Sequence, residues 1–583
     1  MIRTLAAAAL ALAVFATPAL AQTRADTRFN ALLAEHEQIE RRFDPITSGG
    51  EGDDAALARM PDFSPATVEV RRAALADIRT RVAATNERQL SEANQLNRAL
   101  LLLTIDDDLE SLSFDRARLG GFGGGGFDGL GRNTPLRHTA DAEAWLTRMA
   151  AIPAAMNQII ENQRRGIATG WVQPRQIVER TLSVARAQAG QTPEQSALLL
   201  PFDTLPANVS AEERAALRAR GLAIVRDQIK PAQAAQVRFL ETELLPAART
   251  TLGARSLPNG DAYYSYLVRS FTTTSMTPEE VHALGQSEVT RIRAEMDAVI
   301  AETGFRGTFA EFLTFLRTDP QFYARTPQEL MEKAAEISRR ADAQLPRIFG
   351  LLPRLTYGIV ETPADIAPTS PTAGYNSGSL TLGQAGTYLL NTFQLDQRPL
   401  YELPALTLHE ATPGHHLQIA LMQEQPETPY FRRTNGFTAY IEGWGLYAET
   451  LGHDMNMYTT PYERFGRLSY EMWRACRLVV DTGIHWLGWS YEQARECFEQ
   501  NSALSPLNIT AEVNRYIANP GQALAYKIGE LTFRRMRAEG EAALGDRFDI
   551  RAFHDHLLGA GALPMSLVER RMRAWIAAQQ AAR

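Results

Sequence analysis

Among the 583 residues only Cys476 and Cys497 are cysteines, and only Lys230, Lys333 and Lys527 are lysines. The two cysteines flank a turn between two helical patterns. They form either one disulfide or two unpaired core thiols, and neither has the neighbours of a catalytic nucleophile. The lysine shortage reads as GC-rich coding bias rather than a functional demand. Long single-sign charge blocks are missing as well. A net charge of −7 spread along the chain argues against nucleic acid as a partner. Beyond the N-terminus no stretch reaches the roughly 18 uncharged apolar residues that a membrane span requires. There is no Gly-x-Ser-x-Gly elbow and no Ser-x-x-Lys, which disfavours serine acyl-enzyme chemistry. No internal repeat is evident.

The first residues carry the marks of a secretory signal, expected over 1–21. Arg3 precedes an apolar run from Leu5 to Phe15, and Ala19-Leu20-Ala21 before Gln22 forms a small-residue cleavage site. No cysteine stands at that site, so a lipid anchor there is not expected, and the mature protein is expected to be secreted, in the periplasm. Hydrophobic content of 45% and charged content of 22% are ordinary for a globular chain. The mature length suits two lobes around a cleft.

Residues 22–345 form an N-terminal helical region, with apolar residues at three-to-four spacing, as in Leu100, Leu101, Leu102, Ile105 and Leu109. A glycine-rich segment, expected as a loop over 120–131, interrupts it. It lacks the Lys-Ser/Thr and the preceding strand of a phosphate cradle. Thr277-Pro278-Glu279-Glu280 and Thr326-Pro327-Gln328-Glu329 read as capped helix starts. From 346 to 583 the chain is expected to hold a small edge sheet and then the chemistry-bearing helices. The short β-favouring runs are Leu355–Val360, Ser379–Leu382 and Thr387–Thr392. An edge strand beside a metal site can hold an extended peptide by backbone pairing.

The densest chemistry is His409-Glu410-Ala411-Thr412-Pro413-Gly414-His415-His416. Neutral imidazoles plus a carboxylate suit a catalytic zinc with one open position, and a glutamate after the first histidine suits a general base. The usual second histidine, four residues on, is replaced by Pro413. On a straight helix His415 would be rotated about 240° from His409, and His416 would lie about 10.5 Å further along the axis, so a straight helix is incompatible with a shared metal. Pro413 breaks the helical hydrogen bonding and Gly414 permits angles that other residues resist. A bulge then brings His415 to the second ligand position, with His416 the alternative if the break is wider. The third ligand is expected from the mostly apolar helix 437–451, where Glu442 is costly to bury unless it binds a cation. Gly443 and Gly445 allow close approach, and Glu449 is placed to orient a ligand.

Arg477, Asp481 and His485 recur every four residues on one helix face. Either Asp481 fixes the tautomer of His485, which donates to an oxyanion, or the three form a surface ion-pair ladder. His554 and His556, two apart, point about 200° from one another on a helix and are not expected to share a metal.

The HEATPGHH segment, Glu442-Gly443-Trp444-Gly445-Leu446-Tyr447-Ala448-Glu449 and Asn519-Pro520-Gly521-Gln522-Ala523-Leu524-Ala525-Tyr526 together resemble the bacterial "domain of unknown function 885" family over most of the mature chain. That family in turn resembles mostly helical zinc peptidases of the angiotensin-converting-enzyme and thimet-oligopeptidase kind. The resemblance implies a mostly α, two-lobed metallopeptidase-like body with a deep cleft and a small β-sheet insertion. It also implies that Tyr526 stabilises the tetrahedral intermediate. Gln522, Lys527 or Arg515 are candidates to hold a substrate carboxylate. The expected protein is a Zn2+-dependent metallopeptidase of short peptides, with metal ligands His409, His415 and Glu442 and with Glu410, Tyr526 and His485 catalytic. The rival readings are a non-catalytic peptide-binding module and a metal-dependent amidase on non-peptide substrates. Peptide-end preference and oligomeric state leave no signature in the sequence.

Overall fold

The computed structural model describes residues 24–121, 126–364, 366–380, 383–425 and 428–582. The signal segment over 1–21 lies outside the described residues, as do residues 122–125 of the glycine-rich stretch. The second half of that stretch is not a loop. Gly126–Asn133 is a short helix that buries Gly129, Leu130 and Gly131. A side chain at Gly131 would stand 2.1 Å from the Ala197 carbonyl oxygen, so glycine here serves packing rather than flexibility.

Helices make up most of the protein, and their starts follow the local chemistry. At Thr277 the hydroxyl accepts from the Glu280 N–H (3.2 Å), while the Glu280 carboxylate accepts from the Thr277 N–H (2.9 Å). This reciprocal cap fixes the start of Pro278–Thr303. Thr460 and Glu463 do the same for Pro461–His485.

The sheet has three strands: β1 (Tyr357–Glu361), β2 (Ala373–Asn376) and β3 (Gly386–Leu390), in the order β1-β3-β2. β1 runs parallel to β3, with Ile359 opposite Tyr388, and β2 runs antiparallel, with Tyr375 opposite Tyr388. One expectation is corrected: the middle strand is 373–376. Of the expected run 379–382, Ser379 exchanges backbone hydrogen bonds with Gln384 across a tight reversal, and 381–382 lie outside the described residues. β3 is central, with β1 and β2 at the edges.

Seven segments then position the site: α1 (Pro327–Ile348), α2 (Leu403–Glu410), α3 (His415–Gln423), α4 (Thr438–Asp454), α5 (Pro461–His485), α6 (Pro506–Ala518) and α7 (Ala525–Leu544). One apolar cluster joins Phe29 and Phe312 to Leu345, Tyr388, Trp444 and Met572. It therefore draws on residues before and after position 345. α5 runs through the interior, with every residue from Phe465 to His485 buried. Its polar stripe is paired inside the protein: Arg467 with Glu471 at 2.7 Å, Glu471 with Lys527 at 2.7 Å, and Arg477 with Glu512 at 3.1 Å. Burying such groups costs several kcal/mol each unless they are paired, which explains why each has an opposite charge or a hydrogen-bond partner within reach.

Cys476 of α5 and Cys497 of the helix Tyr491–Asn501 form a disulfide, with Cα atoms 5.8 Å apart. Closing a loop of about twenty residues restricts the unfolded chain by roughly 3 kcal/mol. The oxidised protein is expected to exceed the Cys476→Ala/Cys497→Ala variant by about that amount in denaturant titration. Equal midpoints would contradict a stabilising bridge.

Candidate metal centre

α2 ends at Glu410 and α3 begins at His415. The break between them follows from Pro413, which cannot donate a helical hydrogen bond; the Thr412–Pro413 peptide is cis. The chain is re-tied by the His416 N–H donating to the Ala411 carbonyl (3.1 Å), by the Thr412 hydroxyl donating to Asp342 (2.8 Å), and by the Trp444 indole donating to the Pro413 carbonyl (2.8 Å). Gly414 is required by close approach: a Cβ there would lie 1.9 Å from the His409 carbonyl oxygen. The break thus folds back onto the residue whose side chain it must accompany.

This geometry brings His409, His415 and Glu442 together, with ligand atoms all within 4.8 Å of one another. The Nε2 atoms of His409 and His415 lie 3.7 and 3.5 Å from Glu442 Oε2. Direct imidazolium–carboxylate hydrogen bonds would measure about 2.7–2.9 Å. Ligands arranged tetrahedrally at zinc bond lengths would be separated by about 3.3 Å. The observed spacing is nearer the second figure, so the donor set fits a cation between the groups better than direct contact. On α4, Gly445 faces the His409 ring, where a Cβ would come within 2.7 Å, and Gly443 faces Gly529 of α7. The two glycines therefore serve different approaches, one to the imidazole and one to a neighbouring helix.

His409 Nδ1 lies 2.9 Å from Glu449 Oε1, and Arg474 reaches the same oxygen at 3.5 Å. A carboxylate behind a ligating imidazole fixes the tautomer that leaves Nε2 free for a metal. Burial pulls the His409 imidazolium down, but the Glu442 and Glu449 carboxylates outweigh it and hold the group at about 9. Burial disfavours the Glu442 carboxylate, yet the two imidazoles hold it well below the ordinary range. Glu449→Gln is expected to keep the fold and weaken metal binding by about 10- to 100-fold, measured by chelator competition. Unchanged affinity would remove Glu449 from the site.

Glu410 is 9% exposed and has no hydrogen-bond or ion-pair partner among the described residues. It is the neighbour in sequence of His409, and its charge bears on both the His409 ring and the Tyr388 hydroxyl.

His416 takes another role. Its Nε2 donates to the Leu355 carbonyl (3.0 Å), so Nδ1 accepts from the Tyr375 hydroxyl (2.9 Å). Burial lowers it to about 4, leaving a neutral ring that ties α3 to the sheet. The alternative of His416 as the second ligand is thereby set aside.

Tyr526, on the first turn of α7, lies against the Arg477 guanidinium, 4.0 Å from ring centroid to Cζ. Burial and the charge of Glu442 raise its hydroxyl. His485 is elsewhere engaged, and its expected oxyanion role is corrected. Its Nδ1 accepts from the Ala254 N–H and its Nε2 donates to the Tyr516 carbonyl, each at 3.0 Å. Burial holds the ring neutral, with its pKa lowered to about 3. Asp481 does not touch it; it accepts from the Tyr264 hydroxyl (2.6 Å) and the Gly521 N–H (3.0 Å). The surface ladder is absent for the same reason, since the whole stripe is buried.

Lys527 is enclosed by Glu471, Glu530 and Glu288 at 2.7–3.0 Å and cannot reach a substrate. Arg515 is tied to Glu512 at 2.9 Å and to Gln522 at 2.5 Å. His554 is held by the Ile348 carbonyl and Tyr447. Arg474 and Tyr375, which support the site, carry no sequence signal beyond their residue type.

The structure is similar to that of a "putative lipoprotein" from Colwellia psychrerythraea, with a TM-score of 0.88 and 26% identity over 95% of this chain and 99% of that one. It is similar in fold to a "putative lipoprotein of unknown function" from Shewanella oneidensis, with a TM-score of 0.72 and 16% identity over 94% and 100% of the two chains. No curated protein matches the sequence. Residues 45–572 match the bacterial proteins of unknown function grouped as DUF885, and the chain belongs to that family.

Proposed function

We propose that the protein is an exported zinc hydrolase of short peptides, with His409, His415 and Glu442 as ligands. The observation that carries this reading is the convergence of three ligand atoms within 4.8 Å, next in sequence to Glu410, which has no partner among the described residues. A bound zinc ion would supply Lewis acidity toward a water and a peptide carbonyl.

The protein's own groups do the rest. Glu410 accepts the proton of the attacking water and returns it to the leaving amine. Glu449 holds His409 in one tautomer. Tyr526, kept protonated by burial and by Glu442, donates a hydrogen bond where negative charge develops.

A peptide rather than a compact amide is favoured by β2. Because the Asn391 N–H bonds the Thr372 carbonyl in register with the Ala373–Leu390 pairing, Ala373 and Tyr375 turn their N–H and C=O groups away from β3. That free edge ends beside His416, the neighbour of a ligand, and an extended chain can pair with it.

Zinc and a proton compete for His409. The group holds its proton up to about 9, so metal binding below that pH releases a proton. Apparent affinity is expected to fall about tenfold per pH unit between 8 and 6, read by chelator competition. A pH-independent affinity would contradict His409 as a ligand. The function itself is tested by elemental analysis followed by mass spectrometry of a peptide library. Chelator-sensitive cleavage by protein holding about one equivalent of zinc is expected. A zinc-loaded protein that leaves every peptide intact would overturn the reading.

A further inference from the structure

Away from the three ligands, a cavity of about 380 Å³ opens beside the Asn519-Pro520 turn. Arg116, Arg249, Tyr263, Gln173, Ser111 and Asn519 supply its polar lining, and no acidic residue among the described residues lines it. Of the carboxylates on neighbouring segments, Asp115 pairs with Arg118 at 3.3 Å and with Arg165, Glu110 pairs with Arg269 at 2.5 Å, and Asp107 accepts from the Ser270 hydroxyl at 3.0 Å.

Arg249 has no carboxylate partner among the described residues. Its guanidinium donates to the carbonyl oxygens of Val172 (2.8 Å), Thr251 (2.8 Å) and Gly253 (2.7 Å) and to the Ser256 hydroxyl (2.9 Å), all neutral acceptors. Burial draws its pKa down to about 10, as expected of a cation desolvated without a counter-charge. Arg116 is exposed and has no carboxylate partner among the described residues. Both arginines bear on the Tyr263 hydroxyl, pulling it down against the effect of burial.

We propose that this cavity binds an oxyanion group, carboxylate or phosphate, between the Arg116 and Arg249 guanidiniums, with the Tyr263 hydroxyl and Gln173 amide as further donors. Guanidinium N–H groups suit both anions; Arg249 keeps its Nη2 for one, since Nε and Nη1 are already engaged, and the exposed Arg116 can turn its own toward the same group. The wall at Asn519 leads through Gly521 and the Gln522–Leu524 turn to Tyr526. An anion bound there therefore adjoins the segment that carries Tyr526. The proposal does not depend on the metal reading.

The test uses the full chain and reads binding without turnover. At fixed ionic strength, inorganic phosphate and succinate are expected to raise the thermal midpoint saturably relative to chloride. Arg116→Gln, which removes an exposed side chain, and Gln173→Glu, which adds a repelling charge, are each expected to weaken the apparent Kd at least about tenfold. Both variants should keep native circular dichroism. Glu410→Gln protein should bind the anions as the wild type does, so failure here leaves the peptidase reading untouched. In that background, a peptide ending in a free carboxylate that displaces phosphate, while its amide does not, assigns the group to a peptide end. Displacement by neither assigns it to a free anion. Absence of a saturable shift with both anions, or an undiminished shift in Arg116→Gln, would overturn the proposal.

Discussion

Glu410→Gln is expected to retain one equivalent of zinc while losing about 10²- to 10⁴-fold in turnover, the range for removing a general base. The substitution keeps shape and hydrogen-bonding capacity but cannot accept a proton at neutral pH. Glu410 is the fitting target because nothing among the described residues holds its carboxylate, whereas Glu449 and Glu442 both face the imidazoles. A chemical role therefore predicts a loss confined to kcat, with metal content and thermal midpoint unchanged. Full activity in this variant, at wild-type metal content, would require a different base and would sink the mechanism.

The second large effect separates two adjacent histidines. His415→Ala is expected to reduce bound zinc below about a tenth of an equivalent, because a structural or catalytic site rarely survives with two ligands. His416→Ala is expected to keep zinc and lose stability instead. It removes the bonds to Leu355 and Tyr375 and leaves buried polar groups unpaired, at a cost of about 1–3 kcal/mol each. Elemental analysis and denaturant titration of the two variants are expected to give opposite profiles. The reverse assignment, with zinc lost only from His416→Ala, would contradict the ligand set.

Much of this was readable from residue chemistry alone. Thr277 and Thr326 announce helix starts because their hydroxyls compete for the first free N–H groups. Pro413 forces the HEATPGHH segment off a straight helix because its nitrogen has no hydrogen, and an acid in so apolar a stretch as 437–451 demands a cationic partner. What stayed hidden depends on approach between distant segments. Gly414 is needed because its own chain returns to the His409 carbonyl, which no local pattern encodes. The choice between His415 and His416 depends on Leu355 and Tyr375, far off in sequence. His485 and Asp481 share a helix face four residues apart, yet each is captured by a different loop, Ala254 and Gly521 respectively. Periodicity places side chains on a face; it does not say which partner reaches them first. The strand at 373–376 was missed for a similar reason, since Ala-Gly-Tyr-Asn has weak β preference and pairs only because β3 is beside it.

Three side chains sharing one cation carry the proposed chemistry. Anomalous diffraction at the zinc edge from crystals of the zinc-loaded protein tests this directly. One peak is expected, about 2.0–2.2 Å from His409 Nε2, His415 Nε2 and a Glu442 carboxylate oxygen. A peak at another site, or none in that pocket after zinc loading, would contradict it.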